Sequence, residues 1–506
     1  MSFALERYNA AADLLERNLG ARGSRLAVID RDGSTTYTDI AARAAQFANL
    51  LASVGVRREQ RVLLALEDTV AFPICFLGAI KTGVVPIPAN TLLTTDDYAF
   101  MLRDSRAAAV VASPTQAERM RALVENIPAF TTAPAVEGFV DLTPALATQA
   151  ASADSADTQP DEVAFWLYTS GTTGRPKAAM HAHSDLMFTA TRYGEGVLGI
   201  RADDIVFSAA KLFFAYGLGN SLTFPFAVGA TAVLHDGPPT PEAVKRLLDT
   251  HRPTLFFGVP TLYAMLLNTG QLPAPGHRLR LAVSAGEALP ASILERWRSK
   301  VGIDVIDGIG STEMLHIYMS NRPGHVRPGS SGTPVAGYDV ELRDEAGKVV
   351  PDGEIGDLFV RGASMALGYW NRRATNRQTF HGEWMRTGDK YRLDDGCYVY
   401  CGRSDDLLKV GGIYVSPMEV EDALLRHPAV AEAAVVGAAD EDELVKPKAF
   451  VVLKSGQIAG DELSDALIEH VRTTLAPYKR PRWVEFVPAL PKTATGKIQR
   501  FKLRGS

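Results

Sequence analysis

The stretch YTSGTTGRPK at positions 168–177 places hydroxyl, glycine and lysine residues directly after an apolar run. Two glycines three residues apart let backbone N–H groups turn toward an anion, while the hydroxyls and Lys177 add donors and a positive charge. The run 163–168 predicts a short buried strand, and Ser184 is a candidate start for a helix after the loop. The pattern therefore predicts a phosphate-binding loop at the end of a strand.

The order of residues in this loop is not that of the Walker motif, in which a lysine follows the second glycine directly. Here Arg175 and Pro176 separate Gly174 from Lys177. A segment rich in Gly, Ser and Thr is also compatible with a plain flexible loop, but the residue order and the lysine favour phosphate binding. We expect a nucleotide-binding protein outside the Walker class.

Length and composition limit the class of protein. A chain of 506 residues exceeds what one hydrophobic core supports, so at least two domains are expected. The net charge of −5 gives no reason to expect nucleic acid or an anionic membrane as a partner. Cys75, Cys397 and Cys401 lack metal-ligand spacing and suit a reducing compartment, so we interpret them as packing residues.

No membrane segment is predicted. The first 20 residues carry charges at helical spacing, which indicates an amphipathic helix and not a signal peptide. The longest apolar run, 70–80, contains Pro73 and falls short of the roughly 20 residues that a membrane span needs. These features are typical of a cytoplasmic enzyme.

Strand-like and helix-like stretches alternate over residues 25–150, with a helix predicted at 38–54, and again over 203–320. This alternation predicts two β/α units with mostly parallel sheets, whose ligands gather at the carboxyl ends of the strands. The polar segment 151–160 is interpreted as a connector between them. After about residue 332, short strands with turn signals predict a small β-barrel-like unit.

The last hundred residues predict a compact α+β unit with helices at about 417–426 and 461–474. The expected fold is therefore α/β: a large N-terminal domain of two β/α sub-domains and a small β-barrel, then a small mobile α+β domain. We place the large domain at 1–402, a hinge at 403–406 and the small domain at 407–506.

Further motifs follow the loop in order. They are SAGEALP at 284–290, IGSTE at 309–313, WMRTGD at 384–389, GRSDD at 402–406, LLKVGGIYVSPMEVE at 407–421 and LPKTATGKIQR at 490–500. In this order they resemble the acyl-adenylate-forming superfamily over nearly the whole chain. That superfamily includes acyl- and aryl-CoA ligases, firefly-type luciferases and the adenylation domains of peptide synthetases.

The resemblance implies a site for ATP and Mg²⁺. In that superfamily the residue at Thr312 contacts the α-phosphate and the one at Glu313 helps hold the metal, which offsets charge that builds up on the phosphoryl oxygens. The implied nucleotide-binding residues are Thr169, Ser170, Gly171, Thr172, Thr173, Gly174, Lys177, Gly286, Glu287, Asp307, Gly308, Ile309, Asp389 and Arg403. Of these, Ile309 replaces the usual aromatic residue and leaves only apolar contact with adenine.

The C-terminal motifs imply further roles. Lys497 is the implied catalytic lysine, a fixed cation between the substrate carboxylate and the phosphate. Asp405 is at the implied hinge, and Lys409, Gly411 and Gly412 face coenzyme A. After position 470 the chain has nine Lys and Arg residues and one acidic residue. This positive charge also fits a nucleic-acid-binding tail, but binding of the phosphates of ATP and coenzyme A explains it adequately.

The implied acyl pocket is built from 211–220, 284–287 and 314–318, which look like the corresponding segments of benzoate-CoA ligases. Its candidate residues are Phe214, Ala215, Tyr216, Ala285, Gly308, Gly310, His316 and Ile317. Small residues with aromatic walls favour a flat ring over a long chain. Core packing is an equally open role for Phe213 and Phe214, and histidines such as His316 are commonly structural, although its place after the Thr-Glu pair favours the pocket.

The expected reaction joins benzoate or a simple substituted benzoate to AMP, and the thiol of coenzyme A then displaces AMP. The alternatives are a ligase that delivers to a separate carrier protein, a CoA ligase for another small carboxylic acid, and a binding module without catalysis. A homodimer is an open possibility for the assembly.

Overall fold

The computed structural model describes residues 7–134, 136–169, 176–403, 408–410, 413–441, 444–475, 479–492 and 498–504, with the backbone alone at 409, 413, 414 and 501. Among these residues, no helix combines the length and the apolar character that crossing a bilayer requires.

The first part of the chain alternates strands and helices. Its elements are α1 (Ala10–Glu16), β1 (Leu26–Asp30), β2 (Gly33–Thr36), α2 (Tyr37–Ser53), β3 (Arg61–Ala65), α3 (Ala71–Lys81), β4 (Val85–Pro88), α4 (Thr95–Ser105), β5 (Ala109–Ala112), α5 (Pro114–Met120), β6 (Ala129–Thr131), β7 (Val140–Asp141) and α6 (Leu142–Ala147). Five of the strands form a parallel sheet in the order β4-β3-β5-β6-β7.

Two predicted features of this part are confirmed. The helix expected at 38–54 is α2, which begins at a capping box between Thr36 and Asp39. The apolar run 70–80 forms α3, whose residues are all buried inside the protein. The run is therefore a core helix, which accounts for its hydrophobicity without a membrane.

The second part carries the larger sheet. Its elements are β8 (Val163–Thr169), β9 (Lys177–Ala182), α7 (His183–Thr189), β10 (Ile205–Ser208), α8 (Ala215–Leu218), α9 (Phe224–Val228), β11 (Thr231–Val233), α10 (Pro241–His251), β12 (Leu255–Gly258), α11 (Pro260–Thr269), β13 (Leu281–Ser284), α12 (Ala291–Val301), β14 (Val305–Gly310), β15 (Ile317–Ser320) and β16 (Thr333–Pro334). The nine-stranded sheet has the order β16-β15-β14-β13-β12-β10-β11-β1-β2 and is parallel from β14 to β1.

One assignment from the sequence needs correction. The strand at 25–30 is expected in the first β/α unit, but β1 pairs in parallel with β11 of the second sheet, where Val28 faces Ala232. The local pattern identifies the strand correctly. Its partner strand lies about 200 residues further along the chain, and hydrophobic alternation does not indicate which strand will be the partner.

The third part is antiparallel, as the turn-rich pattern predicts. Its elements are β17 (Tyr338–Arg343), β18 (Ile355–Gly362), β19 (Gly368–Tyr369), α13 (Arg373–Thr379), β20 (Phe380–His381), β21 (Trp384–Asp394) and β22 (Cys397–Arg403). A sheet of order β17-β18-β21-β20 carries β22 on β21. The short β19 pairs with β9 and β9 with β8, so a separate three-stranded sheet brings this part to the predicted phosphate loop.

The last part contains both predicted helices. Its elements are β23 (Leu408–Val410), β24 (Ile413–Val415), α14 (Pro417–Leu425), β25 (Val430–Ala439), β26 (Val445–Leu453), α15 (Asp461–Thr474) and β27 (Trp483–Phe486). Glu419 on α14 accepts a hydrogen bond from Arg392 on β21 at 3.0 Å, which joins this part to the preceding one. The strand β22 ends at Arg403, the first residue of the predicted hinge. The domain boundaries stay predictions.

Candidate active site

The predicted phosphate loop joins two antiparallel strands. Thr169 at the end of β8 faces Lys177 at the start of β9, so the hairpin sets the positions of both ends of the loop. The Lys177 ammonium nitrogen lies 4.1 Å from the centroid of the Tyr369 ring. Burial lowers the pKa of Lys177, the nearby Glu313 carboxylate raises it and Arg403 lowers it. Lys177, Glu313 and Arg403 thus share one electrostatic environment.

Glu313 lies in a 3₁₀ turn, Thr312–Met314, directly after β14. The Tyr369 hydroxyl donates to Oε1 of Glu313 at 2.6 Å, and the backbone N–H of Ala366 donates to the Glu313 carbonyl at 2.7 Å. The turn begins at Ser311, whose hydroxyl accepts from the Met314 N–H at 3.2 Å. The predicted metal ligand therefore has a fixed backbone and an oriented carboxylate.

The predicted ribose contacts are a cross-strand pair. Asp389 and Arg403 lie opposite each other on β21 and β22, with Nη1 of Arg403 3.2 Å from Oδ1 of Asp389. Gly388 precedes the aspartate with φ of +78°, and a Cβ there would lie 3.0 Å from Nη2 of Arg403. A side chain at this position would be strained and would crowd the pair, which explains the glycine.

The predicted adenine segment follows the carboxyl end of β13, beside the end of β14. Gly286 has φ of +93°, a conformation that favours glycine. Asp307 on β14 is 4% exposed, and its Oδ1 has no hydrogen-bond partner among the described residues. Burial raises the pKa of Asp307 to about 8, so this carboxyl tends to keep a proton at neutral pH.

The predicted pocket residue His316 lies in an aromatic cluster that includes the predicted pocket residue Tyr216. His316 is 2% exposed, and its ring packs against those of Tyr193, Tyr216 and Phe224 with centroid distances of 5.3, 5.5 and 4.5 Å. Nε2 of His316 donates to the Tyr216 carbonyl at 3.3 Å, which leaves Nδ1 as an unprotonated acceptor without a partner in the described part of the chain. Burial lowers the pKa of His316 to about 3, so the ring is neutral.

Glycines bring this histidine close to the neighbouring elements. A Cβ at Gly219, between α8 and α9, would lie 2.4 Å from Cδ2 of His316, and one at Gly310 would lie 2.5 Å from the His316 carbonyl oxygen. Gly308 is as close to β15, since a Cβ there would lie 2.9 Å from Cγ2 of Ile317. These glycines keep β14, β15 and the segment around Tyr216 in direct contact.

The other predicted pocket residues are buried or half-buried. Ala285 and Ile317 are 3% and 1% exposed, and Ala215 is 8% exposed, while Phe214 and Ile309 are half-buried. The Tyr216 hydroxyl reaches the carbonyls of Gly258 and Val283 at the ends of β12 and β13, both at 3.3 Å. The candidates therefore meet at the carboxyl edge of the sheet, where the strand pattern predicts a ligand.

Several predicted residues lie outside the described residues. They are Ser170, Gly171, Thr172, Thr173, Gly174, Asp405, Gly411, Gly412 and Lys497, together with the side chain of Lys409. Their roles stay predictions from the sequence.

Comparison with known proteins decides the family. The AMP-binding enzyme family matches residues 15–370, and the C-terminal domain of AMP-binding enzymes matches residues 419–497. The chain belongs to the AMP-binding enzyme family. This membership confirms the resemblance expected from the motifs and the α/β fold class with its small α+β C-terminal part.

Individual relatives match this AMP-binding enzyme over its whole length. It is 53% identical to a benzoate–CoA ligase of Thauera aromatica, over 99% of this chain and 96% of the relative. It is 48% identical to a 4-hydroxybenzoate–CoA/benzoate–CoA ligase of Rhodopseudomonas palustris, over 99% of this chain and 94% of that relative. A crystal structure of a benzoate CoA ligase from Burkholderia xenovorans LB400 is 51% identical, with a TM-score of 0.92 over 98% of this chain and 100% of that one.

The structure also identifies site residues that the sequence analysis does not. Tyr369 contacts both Glu313 and Lys177 but lies 56 residues from the former, and neither its type nor its spacing signals the contact. In the AMP-binding enzyme it lies beside β9, the strand that follows the predicted phosphate loop, because β19 pairs with β9.

Proposed function

We propose that the protein is an ATP-dependent aryl-CoA ligase that activates benzoate or a simply substituted benzoate. The observation that carries the substrate is the full-length similarity to two ligases whose names give benzoate as the substrate of those proteins. The site geometry supports the chemistry, because Tyr369 contacts the Glu313 carboxylate at 2.6 Å and lies 4.1 Å from the Lys177 ammonium nitrogen, beside the hairpin of the predicted phosphate loop.

In the first step a carboxylate oxygen of benzoate attacks the α-phosphorus of ATP, a new P–O bond forms and the bond to pyrophosphate breaks. Lys177 offsets the charge of the phosphates, and Thr312 donates to the α-phosphate. Asp389, held by Arg403, accepts hydrogen bonds from the ribose hydroxyls. Asp307, on the buried strand β14, is the residue proposed beside the nucleotide base.

In the second step the sulfur of coenzyme A attacks the acyl carbon, and the C–O bond to AMP breaks. The proposal assigns this step to a second orientation of the small domain, with Asp405 at the hinge and Gly411 and Gly412 beside the pantetheine arm. Lys497 acts in the first step only. These roles rest on the family resemblance.

Mg²⁺ is the proposed metal. The residues fit it, because Mg²⁺ is commonly held by one or two carboxylates together with substrate phosphates, and Glu313 supplies one carboxylate that Tyr369 orients. Within the described residues there is no cluster of three or more metal-ligating side chains, which agrees with a metal that arrives with ATP. Its chemistry is to neutralise phosphate charge. We further propose that the enzyme is cytoplasmic.

The acyl acceptor separates this proposal from a ligase that serves a carrier protein. The test measures thioester formation by mass spectrometry with benzoate, ATP and either coenzyme A or a phosphopantetheinylated carrier protein. A panel of benzoate, hydroxybenzoates, 2-aminobenzoate, cinnamate and octanoate is compared by kcat/KM from pyrophosphate release. We expect benzoyl-CoA as the product and benzoate or a small-substituent analogue as the best acid. A higher kcat/KM for cinnamate or octanoate, or transfer to the carrier protein alone, would overturn the proposal.

A further inference from the structure

The turn that bears Thr312 and Glu313 is held from two separate parts of the chain, the strand β9 and the segment after β18. Its three successive carbonyl oxygens each accept a hydrogen bond from outside the turn: from the His181 ring at 2.8 Å, the Ala366 N–H at 2.7 Å and the Ser364 hydroxyl at 2.8 Å. Of these donors only His181 is a titratable side chain. It holds the carbonyl of Thr312, the residue assigned to the α-phosphate.

The proton count of this contact follows from its partners. His181 is 0% exposed, with Nε2 at 2.8 Å from the Thr312 carbonyl and Nδ1 at 2.8 Å from Oδ2 of Asp185. A carbonyl oxygen only accepts, so Nε2 carries a proton. The contact with Asp185 contains a second proton, on the ring or on the carboxyl group. In either arrangement the pair is neutral overall and Nε2 is a donor.

Asp185 is itself held in place. Its Oδ2 also accepts from the backbone N–H of Ala182 at 3.1 Å, and the residue is 1% exposed. The ring of Phe165, the residue opposite His181 on β8, stacks on the imidazole with centroids 5.2 Å apart and planes 17° apart. The ring plane and the direction of the Nε2 proton are therefore both fixed.

The position of His181 on β9 connects the two halves of the site. Lys177 and His181 are four residues apart on one strand, so their side chains lie on the same face, about 13 Å apart along it at roughly 3.3 Å per residue. The strand thus carries a cation for the phosphates at its start and the donor for the Thr312 carbonyl near its end.

We propose that His181, oriented by Asp185, is a positioning residue for adenylation. It sets the distance and angle of the Thr312–Met314 turn relative to Lys177, so that Thr312 and Glu313 meet the phosphates and Mg²⁺ in the required geometry. The inference deepens the proposed function and rests on its assignment of Thr312 and Glu313.

The test compares two buried histidines that are two residues apart, His181 on β9 and His183 at the start of α7. His181→Phe keeps a ring for the Phe165 stack but removes the donor to Thr312. His183→Phe is the matched control, because His183 is 1% exposed and its Nδ1 accepts from the Ala10 N–H at 3.1 Å, away from the turn. His183→Phe loses this one buried hydrogen bond, whereas His181→Phe loses two, those to the Thr312 carbonyl and to Asp185. The affinity for ATP with Mg²⁺ is measured by calorimetry without any acid, and the half-saturating Mg²⁺ concentration by pyrophosphate exchange.

We expect His181→Phe to weaken binding of ATP with Mg²⁺, and to raise the half-saturating Mg²⁺ concentration, by about 10- to 100-fold, the usual effect of losing a residue that orients a metal site. His183→Phe should leave both within about twofold of the wild-type values, even though it also lowers thermal stability. Equal values for the two variants would overturn the inference, since a merely structural histidine would lower the active fraction and not the affinity.

A second pair of variants covers the case in which His181→Phe does not fold. In Asp185→Asn the amide nitrogen can donate to Nδ1, so Nε2 still carries its proton, although the hydrogen bond from the Ala182 N–H to the same atom is lost. Asp185→Ala removes the orienting group altogether. We expect near wild-type affinity for the former and an affinity about tenfold weaker for the latter. Equal affinities in this pair would overturn the inference. Wild-type protein that binds ATP but makes no benzoyl-CoA would instead contradict the proposed function alone.

Discussion

The Tyr369 hydroxyl lies 2.6 Å from Oε1 of Glu313 while its ring lies 4.1 Å from the Lys177 ammonium group. Burial raises the pKa of Tyr369, and Glu313 raises it further, so the hydroxyl keeps its proton and acts as a donor. One neutral side chain therefore orients the carboxylate and packs against the lysine at the same time.

Replacing Tyr369 by Phe removes the donor and keeps the ring beside Lys177. We expect the half-saturating Mg²⁺ concentration for pyrophosphate exchange to rise about tenfold, because the Glu313 carboxylate loses its orientation. The KM for benzoate should stay unchanged. Tyr98→Phe is the control, since that hydroxyl donates to the Asn90 carbonyl at 2.8 Å beside the other sheet. A Mg²⁺ dependence like that of the control would show that the contact is incidental.

The long, periodic elements were predictable from the sequence. The helix α2 and the buried strands β10, β12, β13 and β14 lie where the pattern predicts them, and the candidate site lies at the carboxyl ends of these strands. The sequence pattern of these elements is clear because the helix buries one continuous apolar face and each strand is a short apolar run in the core.

The contacts within the site were not predictable in the same way. The strand β9, KAAMHA, has no β-branched residue and no clear alternation, so its sequence gives no strand signal, and His181 on it goes unnoticed. Tyr369 reaches Glu313 only because β19 pairs with β9. Such pairings between distant segments depend on the tertiary fold and not on local sequence.

Enlarging Ala285 tests the acyl pocket. Ala285 is 3% exposed, and a leucine there must displace packed atoms, which typically costs about 1–3 kcal/mol, or roughly fivefold to over a hundredfold in kcat/KM. We expect Ala285→Leu to lower kcat/KM for benzoate by that factor and for acetate much less. Ala288→Leu, three residues along the same segment and half-buried, is the control. An unchanged kcat/KM for benzoate would place the ring elsewhere.

The neutral His316 predicts a pH effect on stability. Burial lowers its pKa from 6.5 to about 3, so the unfolded chain binds a proton between these values that the folded protein does not. Stability is complete above pH 6.5 and falls as the pH decreases, by about 1.4 kcal/mol per pH unit for this group. We expect the Tm of His316→Asn to lie below that of the wild type at pH 7.5 and the gap to narrow by pH 5. A gap that stays constant from pH 7.5 to pH 5 would contradict the assignment.

Lys497 lies outside the described residues, and its role is predicted from its motif. The bridge between Lys492 and Ile498 joins the two ends of this segment. We expect Lys497→Ala to lower the rate of benzoyl-AMP formation by at least about a hundredfold, because the loss of one charge-stabilising group has an effect of this size. The rate of thioester formation from supplied benzoyl-AMP should stay nearly unchanged. Lys492→Ala, which removes an ion pair with Glu432 at 2.7 Å, is the control. Equal losses in both half-reactions would indicate a structural role.

The acyl-adenylate itself is the central claim, and an oxygen label tests it most directly. Benzoate labelled with ¹⁸O in both carboxylate oxygens is converted with ATP and coenzyme A, and AMP is analysed by mass spectrometry. Attack of the carboxylate on the α-phosphorus followed by thiol displacement predicts one ¹⁸O in each AMP and none in pyrophosphate. AMP without ¹⁸O, or ¹⁸O in pyrophosphate, would contradict the account.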